Sequence, residues 1–325
     1  MSAATIMPHK ISSRCDPNTK GLIRGVIESF LPKIQVPYIV TAYSQDFHNL
    51  CCRIALERGY PMSTDRSMPS LFPFIKPGVI MGSVAFKHIE DEARRVYVCF
   101  YTAFLLYVDD TYQHTNNERV AVFIERFVRK QKQLDPVLDG LASFLQTTPD
   151  YFEPIAANIV LTGALNLINA STLEFQTQGM KASLHAKDYP EFTRQMSGAN
   201  EAYTMMVFPR SIPIQSYIQC LPDAAIFLGH GNDVLSFYKE ELAGETVNYI
   251  SVLSRCHGIS KMAAFEKVAN DVANADAQVC KILSEEVDQE AYQTWQTFKV
   301  GYVSFHTSFE RYHLDELMNR VNRGM

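Results

Sequence analysis

Residues 231–240 read GNDVLSFYKE, and this stretch is the most informative part of the chain. At about 100° per residue, Asn232, Ser236 and Glu240 fall on one side of a helix, with Lys239 beside them. An amide, a hydroxyl and a carboxylate suit a hard, octahedral cation such as Mg²⁺. The adjacent lysine indicates that the bound substrate is itself anionic. Taken alone, however, a polar stripe with this spacing is more typical of a solvated helix face.

The residues that precede this stretch favour a functional role for it. Residues 224–229 read AAIFLG, an apolar run typical of a buried helix. The polar stripe therefore begins where the helix leaves the core, and we expect it to lie at the mouth of a cavity.

A second candidate site follows the apolar run VYVCFYTAFLLYV at residues 96–108, which leads directly into Asp109 and Asp110. The length of the run favours a buried helix, although its β-branched start leaves a buried strand open. Adjacent carboxylates repel each other unless they are solvated or bind cations, and at a helix C-terminus they also oppose the helix dipole. An Asp pair in an ordinary turn is the alternative. If both helix ends face one apolar cavity, they predict a metal cluster suited to diphosphate chemistry.

The composition is that of a folded enzyme-sized domain. The 325 residues are 47% hydrophobic, and 35 acidic against 30 basic residues give a net charge of -5. No long basic run is present, which argues against a nucleic-acid partner. The seven cysteines show no metal-binding spacing and are interpreted as reduced thiols of a cytoplasmic protein. The longest apolar stretch is shorter than the roughly 18 residues of a membrane span, so we expect no membrane association.

Helical periodicity extends through most of the chain and predicts an all-α fold, a single helical bundle around a central apolar cavity. Residues 1–17 are expected to form a mobile arm and residues 18–325 one helical domain. Proline-rich residues 61–78 and residues 208–213 are expected to be irregular, and Pro222 to bend or divide a helix. The predicted helices span residues 21–31, 46–58, 119–133, 136–146, 151–176, 191–207, 214–241, 260–284 and 289–319.

At these residues the chain resembles the class I terpene cyclases, and most closely the fungal trichodiene synthase group. The family's motif (N/D)D-x-x-(S/T)-x-x-(K/R)-(D/E) is matched at every defined position of residues 232–240. Its D-D-x-x-D motif is matched by Asp109 and Asp110 but ends in Gln113. The family's diphosphate-sensing arginine falls on Arg194, and its Arg-Tyr pair on Arg311 and Tyr312. The resemblance covers roughly residues 90–315.

This resemblance implies a role for each matched residue. It implies a Mg²⁺-dependent lyase with three ions bound together with diphosphate. Asp109 would bridge one metal pair, and Asn232, Ser236 and Glu240 would chelate the third ion. Asp110 would pair with an arginine when the site closes. The diphosphate oxygens would accept hydrogen bonds from Arg194, Lys239, Arg311 and Tyr312. Asp188 and Glu191 have capping-box spacing, which places Arg194 early on a new helix.

The substrate implied by the resemblance is farnesyl diphosphate, a C15 allylic diphosphate used in fungal secondary metabolism; C10 and C20 substrates stay open. The cation formed from it needs a dry pocket, and aromatic faces attract a cation without capturing it. Candidate pocket residues are Tyr101, Phe104, Leu105 and Phe227, although ordinary core packing is the better explanation for any one of the aromatic residues. A large-ring humulene-type product and a six-membered bisabolyl or trichodiene-type product are both compatible with the sequence.

Two other functions are open at this point. A chain-elongating prenyltransferase would also bind diphosphate through Mg²⁺, but it would show two aspartate-rich motifs. A non-catalytic prenyl-diphosphate-binding protein could have lost its first motif at Gln113.

A homodimer is a further possibility implied by the resemblance.

Overall fold

The computed structural model describes residues 16–65, 67–114, 118–285 and 289–318, without the side chains of residues 111–114. Within these ranges every regular element is a helix and there is no strand, so the predicted all-α class is confirmed. The α-helices are α1 (Pro17–Lys33), α2 (Gln45–Glu57), α3 (Phe72–Ile80), α4 (Glu92–His114), α5 (Glu118–Ala121), α6 (Phe123–Val128), α7 (Pro136–Gln146), α8 (Thr148–Tyr151), α9 (Pro154–Gln176), α10 (Tyr189–Met196), α11 (Ala199–Val207), α12 (Leu221–Ala243), α13 (Tyr249–His257), α14 (Lys261–Ser284), α15 (Glu290–Ser308) and α16 (Leu314–Leu317).

Side-chain caps fix the starts of several helices. The carboxylate of Asp16 accepts hydrogen bonds from the backbone N–H groups of Asn18 and Thr19 at the start of α1. Ser44, Asp135, Asn248 and Ser260 cap α2, α7, α13 and α14 in the same way. Residues 1–15 of the predicted mobile arm lie outside the described residues, and its last two residues form the start of α1.

Aromatic side chains hold α4 against its neighbours. Tyr97 of α4 stacks on Phe144 of α7 with 4.5 Å between ring centroids, and Phe104 lies 5.4 Å from the same ring. Phe237 of α12 stacks on Phe265 of α14 at 4.5 Å between ring centroids. These contacts fix α4 and α12, the two helices that carry the candidate ligands, in the core.

Glycines allow three helix pairs to approach closely. A Cβ on Gly163 of α9 would lie 2.6 Å from the Gly198 carbonyl oxygen, just before α11. A Cβ on Gly301 of α15 would lie 2.5 Å from the Val84 carbonyl oxygen in the π-helix Met81–Ala85, which continues α3. Gly78 of α3 meets the Cys99 carbonyl of α4 in the same way. Backbone-to-backbone packing at these positions leaves no room for a side chain.

Helix α9 is unusually apolar for its position. By length and composition alone it could cross a membrane, with a mean hydropathy of 1.3 over its most apolar window, of which 33% is buried. It packs against α4, α8, α10 and α11, and its last turn carries Glu174 to a cavity. These contacts account for the buried face of α9 as part of the helical core.

Candidate active site

A cavity of about 720 Å³ lies where α4, α9, α10, α12 and α13 meet. Asp109 of α4 and Glu240 of α12 both line it, together with Asn232, Lys239 and Arg194. The two motifs singled out in the sequence therefore face one space. Its remaining polar lining includes Glu174, Glu245, Thr193, Asn248 and Tyr249.

Two members of the polar stripe of α12 are buried, and Asn232 and Lys239 are partly exposed. Ser236 and Glu240 are 2% and 8% exposed, and the Ser236 hydroxyl donates to a Glu240 carboxylate oxygen. Burial raises the pKa of Glu240 to about 7, although Lys239 and the Ser236 hydroxyl act in the opposite direction. A carboxyl group with a pKa near 7 is partly protonated at neutral pH, and a cation that binds beside it would make it ionise fully.

Asp109 is the corresponding carboxylate on α4. Burial, followed by repulsion from Asp110, raises the pKa of Asp109 to about 6. The sequence had indicated that the Asp pair lies at the end of the helix. The helix instead continues through His114, so Asp109 and Asp110 lie inside its last two turns. The side chain of Gln113, which departs from the family motif, lies outside the described residues.

Arg194 links α10 to α12. Its Nε donates to Asp233 at 2.9 Å, and one terminal nitrogen donates to the Gly229 carbonyl oxygen at 2.6 Å. Burial alone would lower the pKa of Arg194, but attraction to Asp233 raises it above the ordinary value, so the guanidinium is permanently charged.

The predicted capping box before Arg194 is wrong. Asp188 makes no side-chain cap, and Arg194 is the sixth of eight residues in α10. Glu191 turns instead toward α12 and α13, where its carboxylate lies 3.4 Å from His230 Nε2 and accepts from the Tyr249 hydroxyl at 3.1 Å. Imidazole and hydroxyl partners on neighbouring helices outcompete the local backbone for this carboxylate.

Arg311 lies in the short 3₁₀-helix Glu310–Tyr312 after α15. A terminal nitrogen of Arg311 donates to Asp110 at 3.2 Å. The pairing of Asp110 with an arginine on closure of the site stays a prediction. Tyr312 is buried and hydrogen bonds with Asn232, but burial still raises the pKa of its hydroxyl above the ordinary value. Lys239 Nζ lies 3.9 Å from Glu240 and 3.8 Å from Glu245. Arg194, Lys239 and Arg311 each lie beside a carboxylate. Arg194 and Lys239 line the cavity, whereas Asp110, Arg311 and Tyr312 are not part of its lining.

The four predicted pocket residues lie in the core, away from the lining of this cavity. Tyr101 donates its hydroxyl to the Val160 carbonyl oxygen, Leu105 is 5% exposed, and Phe227 packs against Trp295. Phe104 lies five positions before Asp109 and about 140° around the helix, and it packs against Tyr60 and Phe144. The roles of all four residues in substrate binding stay predictions.

Several residues of the cavity gave no signal in the sequence. Glu174 and Glu245 stand outside any motif, and only the fold brings them to Asp109 and Lys239. Asp233 lies within the motif, but its role as the partner of Arg194 could be found only from the contact between α10 and α12.

The donor set fits Mg²⁺ better than a softer metal. Among the described side chains, no three His, Cys, Asp or Glu groups converge on one point. The amide oxygen of Asn232 and the hydroxyl oxygen of Ser236 would act as ligands beside the carboxylates, and substrate phosphates would complete the shell. Oxygen-only donation of this kind is what a hard cation prefers.

Comparison with known proteins identifies the class of enzyme. The chain matches the trichodiene synthase (TRI5) family over residues 78–324. It is 34% identical over 313 residues to the alpha-cuprenene synthase COP6 of Coprinopsis cinerea, covering 96% of this chain and 95% of that protein. The fold and this relative define the chain as a class I terpene cyclase, a carbon–oxygen lyase. It belongs to the trichodiene synthase family.

Solved structures share the fold at low sequence identity. The linalool/nerolidol synthase of Streptomyces clavuligerus aligns with a TM-score of 0.61 at 11% identity, over 84% of this chain and 98% of that one. The isoprene synthase of grey poplar, in complex with three Mg²⁺ ions and dimethylallyl-S-thiolodiphosphate, aligns with a TM-score of 0.53 at 18% identity, over 87% of this chain and 54% of that one. The all-helical cyclase fold is therefore shared beyond the family.

Proposed function

We propose that the protein is a Mg²⁺-dependent sesquiterpene cyclase that ionises farnesyl diphosphate and cyclises the allylic cation. One observation carries the proposal: Asp109 of α4 lines the same cavity as Asn232 and Glu240 of α12, with Arg194 and Lys239 beside them. Ser236 lies beneath the lining and donates to Glu240. A cavity of about 720 Å³ is within the usual range for a small-molecule site.

Three Mg²⁺ ions are the proposed cofactor. The isoprene synthase structure, which shares this fold, contains three Mg²⁺ ions beside a diphosphate analogue. In this chain the residues that would hold the ions are Asp109 on one side and Asn232, Ser236 and Glu240 on the other. Bound there, the ions would neutralise the charge that develops on the departing diphosphate.

The cationic side chains would hold the diphosphate and stabilise it as it leaves. Arg194 uses two of its nitrogens on Asp233 and Gly229, and Arg311 uses one on Asp110. A guanidinium has five N–H donors, so both arginines keep donors for phosphate oxygens while their carboxylate partners fix their position. Lys239 adds a point charge, and Tyr312, whose raised pKa keeps it protonated, can donate a hydrogen bond.

The substrate length and the ring closure are the finer parts of the proposal. Kinship with single-domain fungal cyclases supports a C15 substrate. Closure between the distal double bond and C1 gives a humulene-type ring, whereas prior isomerisation permits a six-membered bisabolyl or trichodiene-type ring. The pocket would act by excluding water and by folding the chain before ionisation.

Incubation with farnesyl diphosphate and Mg²⁺, followed by headspace analysis of volatiles, tests the proposed reaction. We expect cyclic C15 hydrocarbons that disappear when EDTA is added. A longer prenyl diphosphate would instead identify a chain-elongating enzyme, and unchanged substrate would contradict the proposal. Parallel incubations with the C10 and C20 diphosphates test the proposed chain length.

We also propose a cytoplasmic enzyme. In the described part of the chain all six cysteines are free thiols, which is typical of a reducing compartment. A homodimer is proposed on kinship alone, and sedimentation of the purified protein tests it.

A further inference from the structure

A buried histidine outside every motif contacts one of the proposed metal ligands. His306 of α15 is 0% exposed, and its Nε2 lies 3.1 Å from the side-chain nitrogen Nδ2 of Asn232. Its other ring nitrogen, Nδ1, lies 2.9 Å from the carbonyl oxygen of Tyr302, one turn earlier in the helix. The rings of Tyr302, Phe305 and Tyr312 surround it at centroid distances of 4.6–4.9 Å.

The hydrogen bonds of His306 define its tautomer. A carbonyl oxygen can only accept, so Nδ1 must carry the proton that points at Tyr302. The ring is fully buried among aromatic side chains, and a charged ring is unfavourable in such surroundings. A neutral ring protonated at Nδ1 has an acceptor at Nε2. That acceptor is satisfied only when Asn232 presents its NH₂ group.

The orientation of the Asn232 amide decides whether it can bind a cation. Mg²⁺ takes oxygen ligands, and an amide nitrogen is not one of them. With Nδ2 turned to His306, Oδ1 occupies the opposite branch of the amide. A flipped amide would place two acceptors, Oδ1 and Nε2, against each other in a buried site. Asn232 also hydrogen bonds with the Tyr312 hydroxyl, a group that can both donate and accept and therefore does not impose one orientation.

We propose that His306 is a positioning residue that holds the Asn232 amide with its oxygen toward the cation site. The inference rests on the proposed function, because it needs a cation at the α12 stripe. It assigns to α15 a role in the metal site that no motif of the sequence reveals. Partners of this kind commonly change metal affinity by 10- to 100-fold when they are removed.

The test uses Mg²⁺ affinity measured by calorimetry in the presence of inorganic pyrophosphate, which needs no turnover. His306→Phe keeps a ring of similar shape but removes the acceptor, and we expect about 10- to 100-fold weaker Mg²⁺ binding. His306→Gln can still accept from Asn232 through its side-chain oxygen, and we expect it to retain affinity within a few-fold. Thermal unfolding confirms that each variant is folded.

A second substitution separates orientation from packing. Asn232→Asp gives the side chain two oxygen atoms, so its orientation no longer matters. The Nε2 acceptor of His306 would then face a carboxylate oxygen, which is unfavourable. In the Asn232→Asp background, His306→Phe should therefore leave Mg²⁺ affinity unchanged or improve it. An equal loss in both backgrounds would overturn the inference, as would an unchanged affinity of folded His306→Phe with Asn232 in place.

The tautomer itself can be observed in the wild-type protein. Long-range ¹H–¹⁵N spectra of histidine-labelled protein should show His306 protonated at Nδ1 and bare at Nε2 at pH 7. Protonation at Nε2 would overturn the inference. If the wild-type protein binds no Mg²⁺ in the presence of pyrophosphate, both the proposed function and this role are wrong. If the wild-type protein binds Mg²⁺ and folded His306→Phe binds it equally well, only the role of His306 is wrong.

Discussion

At the scale of single residues, the half-buried Asp109 and the buried Glu240 are the two carboxylates at the centre of the candidate site. Asp109 and Glu240 face the same cavity, and burial raises the pKa of each to about 6 and about 7. Asn232, Ser236 and Glu240 could be predicted as candidate ligands because their spacing follows the period of one helix. Asp109 could be predicted because it follows a long apolar run. Asp233, Glu174 and His306 could not, because their partners lie on other helices and only the fold brings them together.

The first prediction concerns the relative weight of Asp109 and Gln113. A neutral amide cannot supply the negative charge that a carboxylate gives to a cation site. Asp109→Asn should therefore reduce kcat by roughly 10²- to 10³-fold, as loss of one charge-stabilising group typically does, whereas Gln113→Ala should have a much smaller effect. Steady-state kinetics with farnesyl diphosphate measures both, and equal losses would contradict the assignment.

The second prediction concerns the stability of the metal-free protein. Folding raises the pKa of Glu240 from 4.5 to about 7, so the folded state binds its proton more tightly than the unfolded state. The tighter binding of this proton stabilises the folded state. The stabilisation is fully present below about pH 4 and is lost as the pH rises through 7. Glu240→Gln should therefore raise the stability at pH 8 by about 1–3 kcal/mol and flatten the pH dependence.

Chemical denaturation in EDTA between pH 5 and 8 measures this effect. Glu266→Gln removes an exposed carboxylate from α14 and is the matched control, expected to leave the profile unchanged. If Glu240→Gln follows the wild-type profile in parallel, the raised pKa of Glu240 is wrong.

At the scale of elements, periodicity located most helices but not their ends. The span of α7 was predicted correctly, whereas the predicted helix at residues 191–207 is divided into α10 and α11 at Gly198, whose φ of +59° breaks the helix. Pro222 lies in the first turn of α12 and starts that helix, where the missing N–H is not needed. Helices α3 and α13 were missed, α3 because two prolines suggested a loop.

The close contact between α15 and the π-helix gives the third prediction. Gly301→Ala would force a Cβ against the carbonyl oxygens of Val84 and Ala85. We expect a loss of stability of about 1–3 kcal/mol, typical of overpacking, because backbone atoms cannot move aside as a flexible side chain can. Thermal or denaturant unfolding measures it.

Gly25→Ala is the matched control for this prediction. Gly25 lies exposed inside α1 with nothing within 4 Å of the added Cβ. In an open helix interior, alanine is favoured over glycine by about 0.5–1 kcal/mol, so this variant should be as stable as the wild type or more stable. Equal destabilisation by both substitutions would show that the contact at Gly301 is not the cause.

For the whole molecule, the fold brings two distant motifs to one cavity. Asp109 and Glu240 are separated by more than a hundred residues, and the helices between them carry Arg194 and Glu174 to the same place. The sequence predicted this convergence through the order of its motifs. It did not predict that the lining would be so polar or that Phe104 would face away, because side-chain directions depend on how α4 packs against α7.

The most direct test of the central claim is anomalous diffraction from crystals grown with Mn²⁺, in place of Mg²⁺, and pyrophosphate. We expect metal peaks beside Asp109 and beside Asn232, Ser236 and Glu240, with pyrophosphate between the two groups and in contact with Arg194. Pyrophosphate bound with no metal at either group, or metal bound elsewhere in the protein, would contradict it.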